Sequence, residues 1–260
     1  MIQHLFARSA PQSGVFDCQQ PPTSLRQLGI RGGKGILMAF VPPKAAFDRV
    51  NSAWQALGSD GLTVVVLSST GALCSQKGAS SYCDADSQQG SWMWMPASLI
   101  GRHEVHEIDL HTQGEHSAKA RIAAIRGELD RLSIQLPLSA ERHFALVYSD
   151  GLSASEGFLM QAWYASGRFP CLAIGGSAGG SLDMTGTYIG TRRGVLRGKA
   201  VVVFCEMASG KSFAPFKSQN FEATQKSWLV AEADPVSRTV TSVFDERHRP
   251  RPIIDALCEH

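Results

Sequence analysis

From Phe144 to Gly180 the chain reads FALVYSDGLSASEGFLMQAWYASGRFPCLAIGGSAGG, the one stretch where strand, loop, helix, strand and loop can be read in unbroken succession. Phe144 to Tyr148 is a short apolar run without polar alternation, so it reads as a strand covered on both faces. It breaks at Ser149-Asp150-Gly151. Ser153 and Glu156 have the spacing of a capping box. Phe158, Leu159, Ala162 and Ala165 recur at helical intervals, and Gly167 stands where a helix would stop, which predicts a helix over 154–166. Pro170 to Ile174 returns as a second apolar strand and enters Gly175-Gly176-Ser177-Ala178-Gly179-Gly180, so the unit reads as a βαβ crossover.

Loops leaving the carboxyl ends of neighbouring parallel strands share one edge of the sheet, where open α/β sheets bind ligands. The expected site therefore gathers Ser149, Asp150, Gly151, Ser153, Gly175, Gly176, Ser177 and Gly179. The hydroxyls and the carboxylate would supply donors and acceptors, and the glycines would let the backbone approach a bound group. The same composition also suits plain turns, and the residues alone leave both readings open.

The pattern occurs twice. Ile36 to Pro43 overlies His143 to Asp150, and Thr63 to Ala72 overlies Pro170 to Gly179, at a single offset of 107 residues. Between the first pair of strands, Phe47, Val50, Trp54 and Leu57 form one helical stripe that starts after Pro42-Pro43 and ends at Gly58. These features predict an α/β fold of duplicated βαβ-containing subdomains with mixed sheets, flanked by helices and β-hairpins. The expected division is an irregular arm over 1–34, a domain over 35–245 with halves at about 35–112 and 142–245, and a linker or truncated start of a further segment over 246–260. A polar loop carries Cys74 and Cys83. Ser91 to Met95 and His103 to Leu110 alternate as strands, the latter with His106 on the side of Ile108 and Leu110. Ser117 to Leu132 reads as an amphipathic helix. Thr185 to Gly190, Lys199 to Cys205, Trp228 to Ala231 and Thr239 to Val243 read as strands of hairpins.

Composition narrows the function. The 260 residues are 43% hydrophobic and 18% charged with a net charge of +2, which gives an ample core and no general attraction to nucleic acid or anionic lipid. The basic cluster Arg192, Arg193, Arg197 and Lys199 reads as a solvated hairpin. No apolar run reaches the roughly 20 residues of a spanning helix, and MIQHLFARSAPQSG lacks the apolar core of a signal peptide. A cytoplasmic protein without membrane insertion is expected, with its six cysteines as thiols. Gly29 to Lys34 lacks the ending and the preceding strand of a P-loop.

The segments ALVYSDGLS, PCLAIGGSAGG, TYIGTRRGVLRGKAVVVF and SWLVAEADPVSRTVTSVFD, in that order, resemble the N-terminal half of the FIST family. The resemblance spans about residues 36 to 245. It implies an intracellular sensory module for small ligands that works with a signalling protein or fused signalling domain of the chemoreceptor, histidine kinase or cyclic-di-GMP classes, and some bacterial members bind haem and sense nitric oxide. Here LSSTGALC stands where many members have a glycine-rich loop ending in an acidic residue, and the family's C-terminal half is missing or cut off.

Three functions follow. In a non-catalytic binding module, an amino acid or similar metabolite would place its ammonium on Asp150 and its carboxylate on loop N–H groups and the 154–166 helix start. A haem sensor needs an axial ligand in an apolar pocket, for which His106 is the candidate, although a histidine on an apolar strand face is ordinarily a hydrogen-bonded core residue. A serine hydrolase would use Ser177, because Gly175-Gly176-Ser177-Ala178-Gly179 matches Gly-x-Ser-x-Gly after a strand, but the following residues do not read as the helix a nucleophile elbow requires.

Overall fold

Alternating apolar runs and turn signals resolve, in a computed structural model, into fifteen strands and four α-helices among the described residues, which are 10–76, 79–113, 117–181, 183–217, 222 and 226–259. The first unit comprises residues up to Gly114 together with Arg121–Phe213. In chain order its elements are β1 (Gln12–Asp17), β2 (Gly35–Val41), α1 (Phe47–Gln55), β3 (Leu62–Ser68), the hairpin β4 (Gly71–Gln76) and β5 (Ala79–Asp84), β6 (Gln89–Pro96) and β7 (Ile100–Asp109). They continue with α2 (Ala118–Asp130), which belongs to this unit from Arg121 on, β8 (His143–Asp150), a 3-10 turn (Gly151–Ser153), α3 (Glu156–Ser166), β9 (Leu172–Ala178), β10 (Ile189–Thr191), β11 (Gly194–Leu196) and β12 (Lys199–Met207).

Two mixed sheets form, in the orders β1-β6-β2-β3-β10-β11 and β7-β12-β8-β9. In each, a parallel pair joined by a helix (β2 and β3, β8 and β9) is flanked by a later antiparallel strand and then by an earlier one. The two four-strand sets thus share order and direction. Ile36 stands beside Thr63, and Phe144 beside Leu172, so the second crossover is one residue longer than a single offset of 107 requires.

The sheets pack face to face. Ile36, Met38, Val65 and Leu67 of the first meet Phe144, Leu146, Val201, Val203 and Cys205 of the second in one core. On the outer side of the first sheet, Val50 and Trp54 of α1 cover Leu37, Ala39, Val64 and Val66. Phe204 of the second sheet receives Trp163 of α3 in a stack with centroids 5.7 Å apart. Each such buried side chain contributes about 1.5–3 kcal/mol. Residues with no polar alternation therefore became strands covered on both faces.

The second unit takes in residues 115–120 and Ala214–His260. Its antiparallel strands β13 (Val230–Asp234), β14 (Thr239–Phe244) and β15 (Pro250–Pro252) form one sheet, followed by α4 (Ile253–Cys258). Asp245 closes the β14–β15 turn by accepting from the Arg247 and Arg249 amides, each at 2.8 Å.

Several boundaries differ from the sequence expectations. The segment over 1–34 is not wholly irregular, since Gln12–Asp17 pairs with β6; the part over 1–9 lies outside the described residues. The Cys74–Cys83 segment is a hairpin, and its low apolar content hid the pairing. β7, expected in the first half, pairs with β12 of the second. Thr185 to Gly190 is strand only from Ile189, because Asp183 and Ser181 tie the preceding residues into a turn. The helix expected from 154 starts at Glu156, and no capping box forms: the Ser153 hydroxyl donates instead to the Asp150 carbonyl. Among the described residues no helix is long and apolar enough to cross a membrane.

Gly175, Gly176 and Ser177 lie inside β9 instead of in a loop. Gly175 has φ +157°, and a Cβ there would stand 1.8 Å from the Val147 carbonyl oxygen, so only glycine lets β9 lie so close to β8. At Gly176 no heavy atom lies within 4 Å of the equivalent position. Gly175→Ala should therefore cost about 2 kcal/mol or more, and Gly176→Ala within about 0.5 kcal/mol, in urea unfolding. Equal losses would show that this close approach does not limit the strand.

Candidate functional site

The sequence-predicted residues do converge, but mostly as a packed joint. Ser149 stands beside Ser177 in the β8–β9 register with hydroxyl oxygens 3.3 Å apart, and Gly151 faces the Ala178 carbonyl too closely for any Cβ. Gly179 is pressed against Thr70, and its N–H donates to the Ser68 carbonyl at 2.9 Å, tying the ends of β9 and β3 together. Ser177 is exposed in the edge strand, where its hydroxyl donates to Glu156 at the start of α3. The strand-to-helix elbow of a hydrolase nucleophile is not formed around it, since Gly179 to Tyr188 follow as a connection to β10.

Asp150 is buried and shares its carboxylate among three donors. Oδ1 accepts from the Leu152 amide at 3.1 Å and from the Thr187 hydroxyl, and Oδ2 accepts from the Gly198 amide at 2.6 Å. Thr187 precedes β10 and Gly198 follows β11, so one carboxylate holds both feet of the β10–β11 hairpin. The expectation that Asp150 meets a ligand ammonium is not favoured by this placement: the carboxylate is buried, and both oxygens already accept from the protein's own donors.

His106 is on the helix side of β7, as the alternation predicts. Its ring meets Phe204 edge-on at 5.7 Å, and Nε2 lies 3.4 Å from Glu104 Oε2. Trp163 and Phe169 fill the space over Phe204, all three being buried. These residues do not fit a haem: the imidazole is engaged and the aromatic cluster fills the volume a porphyrin would need.

A different feature was not legible in the sequence. At the amino ends of β2 and β3, the opposite end of the sheets from the predicted loops, a cavity of about 790 Å³ opens between the two sheets. That volume is in the range of small-molecule sites. The other face of β7 forms one wall with His103, Val105 and Glu107. His103 Nε2 lies 2.8 Å from Thr63 Oγ1 of the facing sheet, and burial pushes its pKa below the ordinary histidine value of 6.5. Glu107, with its side chain 10% exposed, accepts from the Thr191 hydroxyl at 2.9 Å, and Oε2 lies 3.6 Å from Arg193. Lys34, Arg192 and Arg193 stand at the rim. The signal present in the sequence was the alternation of polar residues at 103 and 107, but the partners Thr63 and Thr191 come from distant segments.

The class of protein follows from a family model: it is that of sensory signal-transduction domains. The family model of the FIST N domain matches residues 35–243, and the chain belongs to that family. Among curated proteins none matches it.

Asp150→Asn should lower stability by about 2–4 kcal/mol in chemical denaturation, because an amide presents its NH₂ to a site built of donors; an unchanged midpoint would remove the clamp. For His103, the unfolded chain takes up a proton near pH 6.5 and the folded one only at lower pH, so acid favours unfolding through this residue in the window below 6.5. An NMR titration of the folded protein should give a His103 midpoint below 6.5, and one at or above it would contradict the burial argument.

Proposed function

We propose that this chain is a small-ligand-binding sensory domain without catalysis, working in the cytoplasm, and that its ligand enters the cavity between the sheets. The observation that carries the reading is the 790 Å³ space walled by Thr63, His103, Glu107 and Thr191. An apolar filling would stabilise the fold more, whereas these groups pair across the gap and keep spare hydrogen-bonding capacity. Family membership supports a sensory role. Occupancy would bias the β10–β11 hairpin, and the change would pass to a signalling protein or fused domain of the chemoreceptor, histidine kinase or cyclic-di-GMP classes.

A second reading, favoured by the exposed Ser177 hydroxyl beside Glu156, places an amino acid at the carboxyl end of β9. One assay separates the two. Thermal-shift screening with amino acids and small organic acids at about 100 times Kd should raise stability by about 2.7 kcal/mol. Val105→Trp, which fills the cavity mouth from an exposed position, should abolish the shift while Ser177→Ala retains it. The reverse pattern would move the site to β9 and end the cavity reading.

A further inference from the structure

We infer that the cavity between the sheets selects a small metabolite carrying an oxyanion, a carboxylate or a phosphate, and that the turn between β10 and β11 is its recognition element. This rests on the cavity reading above and adds the ligand's chemistry.

Arg192 and Arg193 occupy the turn of that hairpin, and both line the cavity with Lys34 on the opposite rim. Their side chains are at the surface, so their long stems can swing over the mouth. Arg193 reaches Glu107 only at 3.6 Å, beyond hydrogen-bond distance, so its guanidinium keeps donors to offer an incoming oxyanion. A planar guanidinium fork matches a carboxylate or phosphate edge with two parallel hydrogen bonds. The turn itself is held in place: the Arg193 amide donates to Thr191 Oγ1 at 3.2 Å, and the Thr191 hydroxyl donates to Glu107. Asp150 fixes the feet of the same hairpin. The arginines are therefore presented from a fixed platform, not from a free loop.

Deeper in, Thr63 and the neutral His103 offer a polar wall without net charge. They suit the hydroxyl or carbonyl groups of the ligand's body, while Glu107 disfavours a second anionic group at depth. The site thus prefers an anion at the mouth and an uncharged polar body within. Asp60, an exposed carboxylate, also lines the cavity.

The test is calorimetric titration of the whole chain with succinate, inorganic phosphate, glycerol and putrescine, at low and at raised salt. Wild type should bind succinate or phosphate, more weakly as salt rises, and not glycerol or putrescine. Whichever anion binds tells a carboxylate source from a phosphate source. Arg192→Gln and Arg192→Gln/Arg193→Gln should weaken that anion at least tenfold. Lys34→Gln gives an independent check away from the hairpin, and unfolding midpoints confirm that each variant is folded. Anion binding unchanged in the double variant overturns the inference. Binding of glycerol or putrescine that Val105→Trp blocks overturns the oxyanion class while leaving the cavity as the site. Absence of binding by all four probes at millimolar concentration overturns the oxyanion inference, and the amino acid screen then judges the cavity separately.

Discussion

One buried carboxylate ties the most irregular part of the fold to its most regular part. Asp150 ends β8 in the middle of the second sheet, and its oxygens take donors from the 3-10 turn, from the approach to β10 and from the turn into β12. β10 pairs with β11 on one side and, on the other, with β3 of the first sheet instead of with the preceding strand β9. Three-residue strands gain little from their own ladder hydrogen bonds, so the hairpin needs fixing at its feet. A buried charge with three hydrogen bonds supplies that, and it cannot be exchanged for a neutral group without stranding a donor.

The duplication explains why such a fixing is needed. Each four-strand set has the same arrangement, with a parallel pair at one end and two antiparallel strands on the other side of it. The connection from β9 to β12 could have remained a loop over its own sheet. Instead it crosses to extend the first sheet, with Ile189 beside Leu67 and Gly190 beside Val66. A Cβ at Gly190 would stand 2.1 Å from the Asn51 side chain of α1, so a larger residue there would have to displace that amide. The crossing joins the two sheets covalently and by hydrogen bonds, and it carries the arginine turn to the amino end of β3.

The sequence showed the strands and the crossover helices plainly, because runs such as Leu146 to Tyr148 and the stripe Val50–Trp54 are decided by burial at short range. It also brought Ser149 and Ser177 together correctly, since parallel neighbours must share an edge. What it could not show was how Asp150 is used. A loop Ser-Asp-Gly has the same composition whether it greets a ligand or an internal amide, and the deciding donors, Thr187 and Gly198, are 37 and 48 residues away. β1 escaped notice for a similar reason: Gln12, Ser13 and Gly14 have little strand propensity, and their pairing comes from Trp92 to Trp94 across the sheet. The cavity was invisible because it belongs to the gap between two sheets and to no segment.

The opposed ends of the sandwich then have opposite characters, and this difference sets how a bound molecule could be felt. At the carboxyl ends of β3 and β9, Gly179, Thr70 and Ser68 pack backbone on backbone, which leaves no slack. At the amino ends, the sheets are held apart by single side-chain contacts, His103 to Thr63 and Glu107 to Thr191. Each is worth only about 1 kcal/mol net, so a ligand that prefers one spacing of the sheets needs little differential affinity to change it. Displacement there cannot be absorbed at the tight end, because Asp150 grips the β10–β11 hairpin on both sides. On the proposed cavity reading, the stiffness of the joint would make the hairpin respond as a unit, with the motif around Asp150 as its pivot.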